Sequence, residues 1–367
     1  MNWFEITNAE TVDSPALLIF KDRMEQNIQA AINRLEGDVS RFRPHIKTNK
    51  TPEVCKALMQ AGVTQFKCAT IAEAEMLAQV GANDILLAYQ PVGPKINRWI
   101  ALQQRYPNAV FACLTDNKLT ATALANAHAA ANLTAKVYID VNNGMNRSGI
   151  DVNKVAALVN QLMQLPNLSI IGLHVYDGHI RKQSAAERKA ASDAAFKPVD
   201  QLQQILQQQY HRVFPIIAGG STTFDAHAQR KNVICSPGTF IFWDAGYQQL
   251  MPEEPFEWAA VLITRVISII NATTITTDLG HKSVAAENPL PRVKFLNAPN
   301  AEPIAQSEEH MVVKVPDSSQ YQPGTLLYAI TIHICPTVAL YNTLQVVENH
   351  KVVGSWKVVA RDRFIHI

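Results

Sequence analysis

The stretch Ala135-Lys-Val-Tyr-Ile-Asp-Val141 decides the fold, because it opens a repeat that extends in both directions along the chain. It reads as a short apolar strand. An amphipathic helical stretch follows over 153–165, and a second apolar strand over 169–175. Upstream, strands are predicted at 39–44, 64–69, 84–89 and 109–114; downstream, at 213–218 and 232–236. Helical stretches fall near 52–62, 71–81, 95–105, 117–131 and 184–210, several closed by the Gly or Asn that commonly ends a helix. Eight strands alternating with helices over about 230 residues have the size of a (β/α)8 barrel, whose chemistry sits on the loops that follow the strands.

Near residue 251 the pattern changes. Pro252, Pro255, Pro289, Pro291, Pro299, Pro303, Pro316 and Pro323 punctuate β-rich runs at 261–271, 310–315, 326–334, 344–348 and 352–360, and no long helical period appears. The sequence therefore predicts an α/β chain: a (β/α)8 TIM-type barrel over 13–250, then a smaller all-β domain over 251–367 joined by residues 1–12.

Composition narrows the partners. The chain has 367 residues, 47% hydrophobic and 17% charged, enough apolar material for a large barrel and a second domain. Lys+Arg 33 against Asp+Glu 31 gives a net charge of +2, without the basic field that nucleic-acid backbones require. Five cysteines at 55, 68, 113, 235 and 335 form no CxxC pair, which argues against a disulfide framework and fits a reducing compartment. The N-terminal Met-Asn-Trp-Phe-Glu-Ile-Thr lacks a basic region followed by an apolar one, and no run approaches the ~18 apolar residues of a membrane span. A soluble cytoplasmic protein is expected.

Placing polar residues on the predicted barrel assembles a candidate site. In Arg-Phe-Arg-Pro-His-Ile-Lys-Thr-Asn-Lys (41–50), Lys47 follows strand 1. Tyr89 and Gln90 follow strand 3; Asp140, Asn142 and Arg147 strand 5; His174, Tyr176, Asp177 and His179 strand 6. Strand 7 runs into Ala-Gly-Gly-Ser-Thr-Thr (218–223) and strand 8 into Cys-Ser-Pro-Gly-Thr-Phe (235–240). Barrels commonly bind phosphate with these last two loops, where glycines admit backbone N–H groups and hydroxyls add donors. A single lysine near a strand end is ordinarily a solvated surface residue. Opposite two such loops, it points to a phosphate-bearing cofactor that binds through an amine, pyridoxal phosphate. His45 beside it either tunes the amine or bonds only to backbone. In the distal region, His333 and Cys335 at i and i+2 would face one side of a strand, bringing an imidazole and a thiolate to one point that suits a borderline-soft ion such as zinc.

The ordered set Arg-Pro-His-Ile-Lys-Thr-Asn-Lys, His-Val-Tyr-Asp-Gly-His, Ala-Gly-Gly-Ser-Thr, Ser-Pro-Gly-Thr-Phe, Glu-Glu-His (308–310) and His-Ile-Cys-Pro-Thr (333–337) resembles the D-threonine aldolase and D-serine dehydratase family, the metal-assisted branch of the alanine-racemase-like pyridoxal phosphate enzymes. The resemblance runs from about residue 13 to the C-terminus. It implies that Lys47 is the Schiff-base lysine, that His45, Arg147 and Tyr176 line the cofactor, and that Gly220, Ser221, Thr222, Gly238 and Thr239 hold its phosphate. It also implies a divalent metal, Zn or Mn, on His333 and Cys335 that acts on the β-hydroxyl of a D-3-hydroxy amino acid, and a homodimer. Tyr176 and Lys47 are the expected catalytic groups. The aldolases' base histidine falls by spacing near Lys182, so His179, the nearby imidazole, is the candidate base. The chain carries His-x-Cys where aldolases of the family tend to carry His-x-Asp, a feature more like the dehydratases. The aldolase reaction is placed first, the dehydratase second, and a racemase, which would need no metal pair, third.

Overall fold

The computed structural model describes all of residues 1–367. The chain divides into two compact units. Ala31–Lys47, Cys55–Gly238 and Asp362–Ile367 form a barrel unit; Met1–Ala30, Thr48–Val54 and Thr239–Arg361 form a β unit.

The first strand, β1 (Ala16–Phe20), belongs to the β unit. The barrel strands are β2 (Gln65–Cys68), β3 (Asp84–Leu87), β4 (Val110–Thr115), β5 (Ala135–Asn142), β6 (Ile150–Asp151), β7 (Leu168–Val175), β8 (Ile216–Ala218) and β9 (Val233–Cys235). They pair in parallel in the order β2-β3-β4-β5-β7-β8-β9, with the short β6 beside β5. Helices between them start on side-chain caps. Thr70 accepts from Glu73 N–H while the Glu73 carboxylate reaches back to Ala69 N–H; Asn117 and Ser184 cap the helices Lys118–Ala130 and Ala185–Tyr210. Leu86, Ala112, Leu114, Tyr138 and Ile217 pack together as a barrel core. This is the TIM-type architecture expected.

One strand of the eight is corrected. Residues 39–44 do not form a regular strand: Val39–Arg41 is a 3-10 turn capped by Asp38, and Pro44 has no N–H to donate. What remains is a pair of isolated parallel bridges, Phe42 to Cys235 and His45 to Lys67. Arg43 N–H and His45 N–H donate to Cys235 O (2.9 Å) and Pro237 O (2.8 Å), while Lys67 N–H donates to Pro44 O (2.9 Å). The segment thus lies between β9 and β2 and closes the ring without strand dihedrals. Arg43 plugs the end where the strands begin, 1% exposed, with both guanidinium arms on Asp84 at 2.8 Å and one on Gln65.

In the β unit, nine strands form one sheet. The path is β13 (Glu302–Gln306), β14 (Met311–Lys314), β11 (Thr274–Thr277), β10 (Ala260–Asn271), β1, β16 (Thr343–Glu348) and β17 (Lys351–Lys357). Off this path, β15 (Leu326–Thr331) pairs with β10 and with β12 (Val293–Phe295). Phe4, Ile6, Leu18, Val261, Ile263, Tyr328 and Ile330 share its core. Asp278 ties it internally, accepting from Ser14 Oγ, Thr264 Oγ1 and Arg265 N–H, and Lys282 pairs with Glu308 and Glu309 at the surface. A second correction falls here. The expected strand over 326–334 stops at Thr331, and His333 is the N-cap of a short helix, Ile334–Val338, whose first turn accepts Pro336. His333 and Cys335 therefore are not strand neighbours of one face. No helix of the chain is long and apolar enough to cross a membrane.

Candidate active site

The alternation that sends Arg43 inward repeats two residues on. Along the ring-closing segment and β2, His45, Lys47 and Lys67 face a cavity of about 340 Å³ at the ends of the barrel strands, joined there by Tyr89, Arg147, His174 and Tyr176. Lys47, half-buried, stands in the turn between the His45 bridge and the helix Pro52–Gln60, and its N–H donates to His45 Nδ1 at 3.3 Å. Tyr176 is flanked by two basic side chains, with the Arg147 guanidinium 4.7 Å and Lys67 Nζ 5.8 Å from its ring centroid.

Beneath the cavity, Asp140 on β5 and His174 on β7 are opposite one another. Asp140 Oδ1 lies 2.8 Å from His174 Nδ1, and Oδ2 accepts from Ser148 Oγ at 2.8 Å. Burial pushes the Asp140 carboxyl up, but His174 and Ser148 outweigh it and hold the group below the usual carboxylate range. Burial likewise pushes His174 below its ordinary value despite the carboxylate beside it. The result is a neutral imidazole hydrogen-bonded to an ionised acid.

Two expected phosphate loops meet in the barrel unit. Gly238 N–H donates to Ser221 Oγ at 3.3 Å, and Gly220 rests on Tyr176, since a Cβ there would come within 2.8 Å of the ring. Gly219 takes φ +73°, and a Cβ would meet the His227 ring at 2.5 Å. Buried beneath the loop, Asp177 accepts from Thr223 Oγ1 (2.6 Å) and from His227 Nε2 (2.8 Å), while Arg230 donates to His227 Nδ1 (2.9 Å). Burial raises the Asp177 carboxyl, yet these bonds carry it below its ordinary value. Thr222 Oγ1 is buried with no hydrogen-bond partner. His179 is exposed beside Gly144 and does not line the cavity.

In the β unit, Thr239 and Thr48, the residue after Lys47 in sequence, contact Cys335 Sγ at 3.6 and 3.1 Å. His333 hydrogen-bonds to Cys335, and its Nδ1 lies 2.5 Å from Glu287 Oε1. Burial lowers the imidazole's pKa, but Cys335 and Glu287 raise it to about 9. The short helix thus brings together the two side chains that strand geometry was expected to align. No group of three or more His, Cys, Asp or Glu side chains is arranged to hold an ion.

Comparison with known proteins gives this site a lineage. The sequence model of the family described as alanine racemase, N-terminal domain, matches residues 19–245, more than half of the chain. The chain belongs to the alanine racemase N-terminal domain family. A second model, described as a putative serine dehydratase domain, matches residues 259–347. The chain is 27% identical to D-threonine aldolase of Arthrobacter sp over 95% of its length and 93% of the relative's. It is 25% identical to a 3-hydroxy-D-aspartate aldolase of Paracoccus denitrificans, over 96% and 93%. The crystal structure of D-threonine aldolase from Filomicrobium marinum superposes with a TM-score of 0.86 at 26% identity, covering 98% of each chain.

For a member of the alanine racemase family, the group to test against these residues is pyridoxal phosphate. The fit is good on two counts. An orphaned hydroxyl, Thr222 Oγ1, waits in the glycine loop, and the cavity lining carries Lys47, Lys67 and Arg147 with no carboxylate. Two features escaped the sequence reading. Lys67 stood in plain view in the run 64–69, where a lysine inside a parallel strand, normally apolar on both faces, was the signal. His227 and Thr223 had none, because the contact with Asp177 spans about fifty positions of chain.

Proposed function

We propose that the chain is a pyridoxal-phosphate-dependent, divalent-metal-assisted lyase of the D-threonine aldolase type, cleaving D-threonine to glycine and acetaldehyde, and that it works as a cytoplasmic homodimer. The observation that carries this is the gathering of Lys47, Arg147 and Tyr176 on one cavity, in a chain alignable over nearly its whole length with D-threonine aldolase. Lys47 would hold the cofactor through its amine, Gly220, Ser221, Thr222, Gly238 and Thr239 its phosphate, and His45, Arg147 and Tyr176 would line it. When bound, pyridoxal phosphate supplies an electron-poor ring that accepts the pair released as a bond to the substrate's Cα breaks. His333 and Cys335 would hold zinc or manganese, whose chemistry is to lower the pKa of a hydroxyl group. Their donor set, one imidazole and one thiol, suits such an ion and leaves positions for water or substrate. The hydroxyl proton must leave during Cα–Cβ cleavage; His179, the candidate from the sequence to take it, is exposed outside the cavity lining and would have to reach the substrate from there.

A second reading keeps the same residues but loses the α-proton and the hydroxyl, giving a 2-oxo acid and ammonia. Cys335 and the serine dehydratase model over 259–347 favour it. Product analysis with D-threonine and added metal decides: glycine and acetaldehyde support the aldolase, 2-oxobutyrate and ammonia the dehydratase, and epimerised threonine neither. The metal is tested separately. Cys335→Ala is expected to reduce bound metal, by elemental analysis, together with activity, and unchanged metal content would remove the assignment.

A further inference from the structure

Among the lysines and arginines that line the cavity, Lys67 is the one to which the proposed reaction gives no role. Its side chain is 2% exposed, lines the cavity, and makes no ion pair. The groups facing it are largely of its own sign. His45 and Lys47 come from the ring-closing segment, with Arg43 below them; Arg147 follows β5; His174 stands on β7. The one acid near it, Asp140, is engaged by His174 and Ser148. Tyr176 offers its ring face, and Tyr89 completes the lining. Desolvation and then the charge of Lys47 bring the Lys67 amine down to about 7. Stability does not account for such a group, because a methionine of similar length would fill the space without a buried, uncompensated charge.

We propose that Lys67 is a proton-coupled anion-binding residue: it takes up a proton when a ligand brings an anionic oxygen into the cavity. This rests on the cavity being the cofactor site. An arriving anion supplies the counter-charge that Lys67 lacks and favours its ammonium form, so binding and protonation strengthen one another. The sign follows from linkage. Below about pH 7 the amine is already charged and affinity is at its full value; above it, affinity falls by up to about tenfold per pH unit until the pKa of the bound state is reached.

The test uses the full chain freed of cofactor and titrated calorimetrically with pyridoxine 5′-phosphate, which has no aldehyde and cannot react with Lys47. Two buffers of different ionisation enthalpy give the protons taken up, from about pH 6.5 to about pH 9. A parallel arm titrates the cofactor-loaded chain with D-alanine, a carboxylate without a β-hydroxyl. Protons that belong to the ligand are common to wild type and variants, and Lys67→Arg, which keeps a charge facing Lys47, separates any change at Lys47 from the uptake at Lys67. Lys67→Met should take up fewer protons and show a flatter affinity profile in one arm, which identifies the anion as the cofactor's or the amino acid's. Lys67→Arg, charged throughout, should bind without that uptake, and both variants should unfold near the wild-type temperature. Equal uptake and equal slopes in wild type and Lys67→Met, in both arms, overturn the inference while leaving the cofactor assignment standing. No binding of pyridoxine 5′-phosphate by wild type removes the cofactor assignment and this inference with it.

Discussion

Arg43 and Lys67 are both basic side chains shut inside the same barrel, at 1% and 2% exposure, yet their surroundings differ completely. Arg43 sits where the strands begin and is held by both oxygens of Asp84 and by Gln65. Both terminal nitrogens of the guanidinium have partners within the protein, so its charge is balanced there and only Nε is left without a partner. Lys67 lies two residues along β2 from Gln65, toward the cavity, and has like charges for neighbours. The charge of the floor is balanced within the protein; the mouth has unbalanced charge and an unpaired hydroxyl, deficits that a ligand would make good. Barrels divide this way in general, with stability at the end where strands start and chemistry at the end where they finish. Here the division is drawn along a single strand.

The hardest test of the mouth is Lys47→Ala. Turnover should fall by at least about a thousandfold, since a group that binds the cofactor covalently has no substitute. The visible absorbance of the loaded protein should vanish, with the thermal unfolding midpoint of the cofactor-free chain unchanged. A retained absorbance band would break the comparison, by showing that another amine, with Lys67 the obvious candidate, does the work assigned to Lys47.

The floor answers to the opposite measurement. Arg43→Met removes the partner of a carboxylate and an amide that stay where they were. Asp84 is 38% exposed and can turn to water, so we expect a loss of about 1–3 kcal/mol rather than the larger value for a fully buried pair. Denaturant unfolding should register it, and the turnover of the folded fraction should stay at the wild-type value. A change in turnover at constant stability would mean that floor and mouth are coupled.

How much of this was legible beforehand depends on how local the signal is. Seven barrel strands were read to within a few residues, because apolar runs bounded by helix signals are local, and so were the helices opened by Thr70, Asn117 and Ser184. Residues 39–44 were misread because ring closure, a long-range constraint, makes two bridges suffice where Pro44 forbids a ladder. His333 and Cys335 were paired correctly but through the wrong geometry. Pro336 carried the warning, as a proline that ends a strand and suits the first turn of a helix. The buried Asp177, Thr223 and His227 cluster joins the loop after β7 to the helical turns after β8, and no spacing rule reaches across that distance.

The finest test lies in the glycine loop. Thr222→Val keeps the shape of the side chain and removes the one atom of the loop that is buried without a partner. In a region whose charges are paired, such as the floor, deleting a hydrogen-bonding group costs stability. Here the cofactor-free protein should be as stable as wild type, or more so by up to about 1 kcal/mol, because an unsatisfied buried hydroxyl is itself a penalty of about that size. Affinity for pyridoxal phosphate should move the other way, weakening by roughly tenfold as one charge-assisted bond to the phosphate is lost. Fluorescence titration beside thermal unfolding separates the two effects. Lost stability with unchanged affinity would place Thr222 with Arg43, among the residues that only hold the barrel together.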